Sequence, residues 1–244
     1  MKKFLLAIQF LTVFPVHIKT QVREEDYKGI FSYFPLVGAC LGLLLAFFAF
    51  ALGFMPHAAM VACIITLYIV MTGALHIDGF ADTCDGFFSG KPKDRVLEIM
   101  HDSRIGTMGC VGLWVLLVLK FTFLIGLGHE FFWRLLIAVP VYSRWAQGVA
   151  CHFSEYARGN GKSNYFFNNV TVNDIVFGGI FSIIIFLILV GLKGFLLFIL
   201  GFIPVFLFMR FSQSRIGGMT GDTLGAANEI AEISILFFSL ILFR

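Results

Sequence analysis

Seven apolar runs, each long enough to cross a bilayer, leave this chain of 244 residues little choice of architecture. They lie at about 31–54, 57–75, 108–127, 131–152, 175–191, 195–211 and 224–243. Hydrocarbon offers no water to the backbone, so each run must satisfy its own N–H and C=O groups, and at this length that means an α-helix. Composition points the same way: with 59% hydrophobic residues, 31 Phe and only 14% charged residues, the chain cannot clothe a soluble domain. The expected fold is all-α, a polytopic membrane bundle of about seven transmembrane helices forming a single catalytic domain over residues 1–244. The start, Met1-Lys2-Lys3 and then an apolar stretch to Val16, imitates a signal peptide. It has no small-residue cleavage site and closes at Pro15, so an interfacial or re-entrant amphipathic helix is expected instead.

The basic residues orient the bundle. With the N-terminus inside, one side collects Lys2, Lys3, Lys19, Arg23 and Lys28, then Lys91, Lys93, Arg95 and Arg104, then Arg158, Lys162, Arg210 and Arg215. Those are thirteen of the 18 Lys and Arg. Arg134, Lys193 and Arg244 fall on the other side, and Lys120 and Arg144 lie inside runs. The asymmetry satisfies the positive-inside rule and places every long polar segment in the cytoplasm. A multi-pass protein of the plasma (inner) membrane is expected, with lipid as its surroundings and its polar site on the cytoplasmic face. A net charge of +3, dispersed along the chain, gives no footprint for nucleic acid. The five cysteines are odd in number, lack CxxC spacing and sit mostly in apolar runs, as small core residues do.

Polar density gathers in three of the cytoplasmic stretches. The first is His76-Ile77-Asp78-Gly79-Phe80-Ala81-Asp82-Thr83-Cys84-Asp85-Gly86. On a helix Asp78, Asp82 and Asp85 are spaced i, i+4, i+7 and share one face. Three like charges on one stripe repel unless a cation sits among them, and Mg²⁺ takes carboxylate oxygens together with substrate phosphate. A solvated loop entry is the bland alternative, which suits a lone aspartate better than three on one face. His76 is turned about 160° from Asp78 at 100° per residue and joins that face only if the helix starts after it.

The second stretch runs from Lys91 through an amphipathic segment to Asp102-Ser103-Arg104-Ile105-Gly106. Arg104 has the fork to grip a phosphate, although a helix resting on lipid headgroups would carry the same basic residues. The third is Gly217-Gly218-Met219-Thr220-Gly221-Asp222-Thr223-Leu224-Gly225, with Asn228, Glu229 and Glu232 beyond it. Its glycines suit a loop whose N–H groups cradle phosphate, or close helix packing at Gly225. Glu229 and Glu232 lie inside the last apolar run, where carboxylates are functional candidates by default. Arg144, beside Ser143 in the fourth run, needs carboxylates, phosphate or carbonyls, so a structural ion pair and a substrate contact both remain open.

Taken together these stretches describe a metal-carboxylate cluster, glycine loops and basic residues at one membrane face. The inventory suits transfer of a phosphate-linked group, in which catalysis is mainly positioning and charge neutralisation. No Walker loop, GxGxxG or nucleophile–histidine arrangement competes with it.

The three aspartates with their glycines, the segment Asp94-Arg95 to Gly106, the late Thr220-Gly221-Asp222-Thr223-Leu224-Gly225 with Glu229, and Ser143-Arg144 together resemble the cobalamin synthase family. The likeness runs from the N-terminal helix to the last apolar run. It implies Mg²⁺-dependent joining of adenosylcobinamide-GDP to α-ribazole or its 5′-phosphate, with release of GMP. It also implies Asp78, Asp82 and Asp85 as the metal ligands, Asp82 and Asp85 as the catalytic pair, and Arg104 on the pyrophosphate. Asp102, Arg144, Thr220, Asp222 and Glu229 complete the implied substrate-binding set. A CDP-alcohol phosphotransferase is the nearest rival, but the Ala-Arg step expected after Asp78-Gly79 is absent. An ion-coupled transporter using Glu229, Glu232 and Arg144 as a relay is a more distant one, without the paired interrupted halves it would show. Oligomeric state is open, a homo-oligomer included.

Overall fold

The computed structural model describes residues 2–18, 21–158 and 164–243. Lys19, Lys162 and Arg244 of the charge count lie outside the described residues. The helices in chain order are α1 (Lys2–Leu11), α2 (Phe34–Ala51), α3 (His57–Met71), α4 (Leu75–Phe87), α5 (Lys93–Ile99) and α6 (Thr107–Gly126). They continue with α7 (His129–His152), α8 (Asn164–Asn169), α9 (Val172–Val190), α10 (Leu192–Ile216) and α11 (Gly221–Leu242). Among the described residues there is no strand, only one isolated parallel bridge between Tyr156 and Met219.

All seven apolar runs fold as helices, and two depart from simple spans. Among the described residues five helices are long and apolar enough to cross a membrane: the one beginning at Ile30, then α6, α9, α10 and α11. The run at 57–75 is not one continuous helix. It stops at Met71, passes through left-handed Gly73 (φ 59°) and Ala74 (φ 58°), and restarts as α4 at 89° to α3. A left-handed alanine costs roughly 1–2 kcal/mol. The turn is held by Ala74 N–H donating to the Ile69 carbonyl at 2.9 Å. Counting α3 and α4 as one broken span brings the number to six. The run at 131–152 becomes α7, which is too polar to qualify by composition. It is instead the central helix, with sixteen buried residues from Phe132 to Cys151.

The core joins α2, α7, α10 and α11, while Phe47, Phe50, Phe54, Trp114, Ile188 and Leu192 stand exposed around the outside. Large exposed apolar side chains of this kind are what a lipid-facing surface requires. At one end of the bundle α4, α5, the starts of α6, α9 and α11 and the ends of α7 and α10 meet, and the polar site is built there. Helix starts at this end are capped. Thr171 and Asp174 form a capping box on α9, with Asp174 also accepting from Ser32 Oγ at 2.5 Å.

Candidate active site

α4 places its carboxylates as the spacing predicts. Asp78 is exposed and Asp82 and Asp85 are half-buried. The helix starts at Leu75, before His76, so His76 turns into the bundle instead of joining them. Its partner wall is the start of α11. The two helices touch backbone to backbone: a Cβ on Gly79 would lie 2.7 Å from the Asp222 carbonyl oxygen, and one on Gly225 3.1 Å from that of His76. Gly225 is therefore a packing glycine, and the contact brings Asp222 opposite Asp78 and Asp82. Asp82 feels Asp78, Asp222 and Asp85 as repelling neighbours and Arg158 as the opposing charge.

Arg158 was invisible as a site residue in the sequence. The segment before it pairs with the glycine loop: Met219 N–H donates to the Glu155 carbonyl at 2.8 Å, and Ala157 N–H to the Met219 carbonyl at 2.9 Å. Gly218 passes so close to the Glu155 carbonyl that no side chain fits between them. This clamp delivers Arg158 Nη2 to Asp222 Oδ2 at 2.9 Å. Thr220 is fully buried and its hydroxyl accepts from Thr223 N–H, which caps α11.

Asp85 has a different occupation from the other two. Its oxygens accept from Gly106 N–H at 2.7 Å and Gly109 N–H at 2.8 Å, at the first turn of α6. A carboxylate there satisfies orphan helix donors and complements the dipole. It also ties the 101–106 segment to α4. In that segment Arg104 Nε and Nη2 donate to the two oxygens of Asp102 at 3.0 and 2.7 Å. The grip of Arg104 holds the Asp102 carboxyl down to about 2. Arg104 is otherwise free, with its side chain 87% exposed. α5 packs inward through Val96 and Met100 against Phe87 and Ile216, so it is seated on the protein as well as facing outward.

Arg144 and Glu229 belong to a second, buried group. Lys120 of α6 meets Glu229 Oε2 at 2.5 Å and Glu232 Oε2 at 2.7 Å, and Arg144 Nη1 meets Glu232 Oε1 at 2.8 Å. Tyr68 Oη donates to Glu232 Oε1 at 2.7 Å. Arg144 Nη2 lies 3.4 Å from His76 Nδ1. Of the two readings left open for Arg144, the structure supplies the ion pair. Lys120 completes the group, and its signal was a lone charge inside an apolar run.

Among the described residues no three His, Cys, Asp or Glu side chains converge on a ready-made metal cage. Mg²⁺ does not require one, because it takes one or two carboxylates and fills its shell with water and substrate phosphate. Asp78, Asp82 and Asp222 are hard oxygen donors in surplus over Arg158, the one cation among the described residues that reaches them, and they fit the ion in that mode.

Fold and site together define a helical membrane protein with an acidic cleft at one end of its bundle. A family model described as cobalamin-5-phosphate synthase matches residues 3–240, and the chain belongs to that family. A Clostridium novyi protein named adenosylcobinamide-GDP ribazoletransferase is 38% identical over 250 residues, covering 100% of this chain and 98% of the relative. Proteins of the same name from a Thermoanaerobacter species and Acetivibrio thermocellus are each 36% identical, covering 96% and 100% of this chain and 95% and 97% of their own lengths. No solved structure matches the chain.

Proposed function

We propose that this chain is an adenosylcobinamide-GDP ribazoletransferase. It joins adenosylcobinamide-GDP to α-ribazole or its 5′-phosphate and releases GMP, the last step of nucleotide loop assembly in cobalamin biosynthesis. The observation that carries the reading is the carboxylate surplus: Asp78, Asp82 and Asp222 face one another, and Arg158 alone of the described cations pairs with them. Such a face repels a bare pyrophosphate and accepts one only with a divalent cation between them.

Mg²⁺ held by Asp78 and Asp82 would supply charge neutralisation to the pyrophosphate as its phosphorus–oxygen bond breaks. A ribose hydroxyl attacks the cobinamide-side phosphorus, forming the new O–P bond. The bond from that phosphorus to the bridging oxygen breaks, and GMP leaves with that oxygen. Asp82 takes the hydroxyl proton. Asp222 and Arg158 line the opposite wall, and Arg158 faces phosphate oxygens. Arg104 exchanges its Asp102 partner for the pyrophosphate, which a guanidinium grips with two parallel hydrogen bonds. Asp85 is a positioning residue that keeps the Arg104 segment against α4. Thr220, Arg144 and Glu229 also act at one remove, by aiming and anchoring α11.

The test is direct. Purified protein given Mg²⁺, adenosylcobinamide-GDP and α-ribazole should release GMP. No GMP would sink the reaction, and undiminished GMP in excess EDTA would sink the metal. From the charge asymmetry we place this end of the bundle in the cytoplasm, beneath the plasma membrane. Cysteines introduced at positions 90 and 215 should then resist an impermeant thiol reagent in intact cells and react after lysis; labelling before lysis reverses the orientation.

A further inference from the structure

A groove of about 720 Å³ opens between the end of α7 and the second half of α10, and no residue of the carboxylate cleft lines it. On α10 it takes Phe202, Phe206, Arg210 and Gln213, spaced i, i+4, i+8 and i+11, which is one stripe along the helix. The stripe changes character along its length. Phe202 and Phe206 lie in the apolar part of a helix able to cross the membrane, and Phe206 is 51% exposed. Arg210 stands one turn beyond Phe206, where the apolar run ends, about 12 Å along the axis from Phe202 at 1.5 Å per residue.

The other bank is the end of α7 and the turn after it, with His152 and Glu155. His152 is fixed there, because its Nδ1 donates to the Val170 carbonyl at 3.1 Å. Glu155 is fixed by its backbone, whose carbonyl accepts from Met219 N–H at 2.8 Å, and its side chain is left exposed. Arg210 and Glu155 are opposite in sign and line the same groove, yet neither pairs with the other or with any other charge among the described residues. At a wet surface leaving them apart costs little. Held apart, they bracket a space that suits a dipolar group, negative end to Arg210 and positive end to Glu155. The C-terminus of α7 adds its dipole to the second preference.

We infer that this groove binds an aminophospholipid, of the phosphatidylethanolamine type. An acyl chain lies against Phe202 and Phe206, the phosphate sits on Arg210, whose fork grips two of its oxygens, and the ammonium donates to Glu155. The order apolar, cation, anion along the groove is the order acyl chain, phosphate, amine along the lipid. Charge complementarity selects the class: a purely anionic headgroup brings nothing to Glu155, and a choline headgroup has no N–H to donate. The inference stands apart from the transfer reaction proposed above and assigns a second ligand to the bundle.

The experiment is native mass spectrometry of the full-length protein, released from detergent micelles supplied with phosphatidylethanolamine, phosphatidylcholine or phosphatidylglycerol of matched acyl chains. The unmodified protein should hold one phosphatidylethanolamine about tenfold more tightly than either of the others, the worth of one charge-assisted hydrogen bond. Glu155→Gln should erase the preference over phosphatidylcholine, and Arg210→Gln should weaken all three lipids together. Both changes fall on exposed side chains without partners, so the melting temperature in detergent should stay where it was. Equal retention of phosphatidylethanolamine and phosphatidylcholine, or a preference that survives Glu155→Gln, overturns the site and leaves ordinary surrounding lipid. Tightest retention of phosphatidylglycerol overturns it as well. Displacement of bound phosphatidylethanolamine by adenosylcobinamide-GDP would also overturn it and give the groove to that substrate.

Discussion

Two groups of charge share α11, and they are built on opposite terms. Asp222 opens its first turn, half-buried, and Glu229 and Glu232 lie two turns further in, almost wholly enclosed. The inner group is balanced, with Lys120 and Arg144 against the two glutamates, and each charge meets its counter-charge. The outer group sets Asp78, Asp82 and Asp222 against Arg158, the one described cation that pairs with them. Charges taken out of water must be paired where they lie, so balance marks the inner group as part of the scaffold. An uncompensated set at a reachable surface is tolerable because solvent screens it, and on the proposed function it is where a cation and phosphate would bind. The difference also argues against a midplane proton relay. Glu229 and Glu232 are already held by lysine and arginine, whereas the unsatisfied carboxylates stand at the end of the bundle.

The sharpest break between the groups should come from neutralising one charge in each. Asp82→Asn should cost turnover about ten-thousandfold, about 5.5 kcal/mol in the barrier. Its melting temperature should hold or rise, since a repelling charge is gone. Activity within tenfold of the unmodified enzyme would remove the carboxylate face from the chemistry. Lys120→Met should do the reverse and act on stability. Leaving Glu229 and Glu232 enclosed with one cation between them should cost about 3–5 kcal/mol, read as a lower unfolding midpoint in detergent. Adding Glu229→Gln should restore part of that loss, and a Lys120→Met protein as stable as its parent would mean the inner group is not scaffold. The smallest effect is expected at Arg104→Lys, which keeps the charge and loses the fork. A ten- to hundredfold fall in kcat/KM with unchanged stability, roughly the range for one lost phosphate clamp, would join Arg104 to the outer group. Unchanged kinetics would return it to the lipid surface as an anchor.

Legibility followed the range of the interactions concerned. The shared face of Asp78, Asp82 and Asp85 was readable because it depends on helical period alone. That Asp85 spends both oxygens on the first turn of α6 was not, since Gly106 and Gly109 are 21 and 24 residues away. The apolar run at 57–75 concealed its own break. Hydropathy does not register a left-handed Gly73-Ala74 turn, and Ala74 gives no warning of one. Arg158 lay in a segment that matched no motif, and it reaches the site through a backbone pairing that carries no side-chain signature.

By itself the sequence determined that this chain folds as membrane helices, where most of them run, and which acidic residues share a face. Those properties follow from backbone hydrogen bonds that must close locally in hydrocarbon and from a period of 3.6 residues. Only the tertiary structure decided which charge meets which: Lys120 with Glu232 across 112 residues, Arg144 with Glu232 across 88, and Arg158 with Asp222 across 64. Helix packing brings such partners together, and packing also sets how much water each keeps. The same residue types therefore became a neutral scaffold two turns inside α11 and an open acidic cleft at its end.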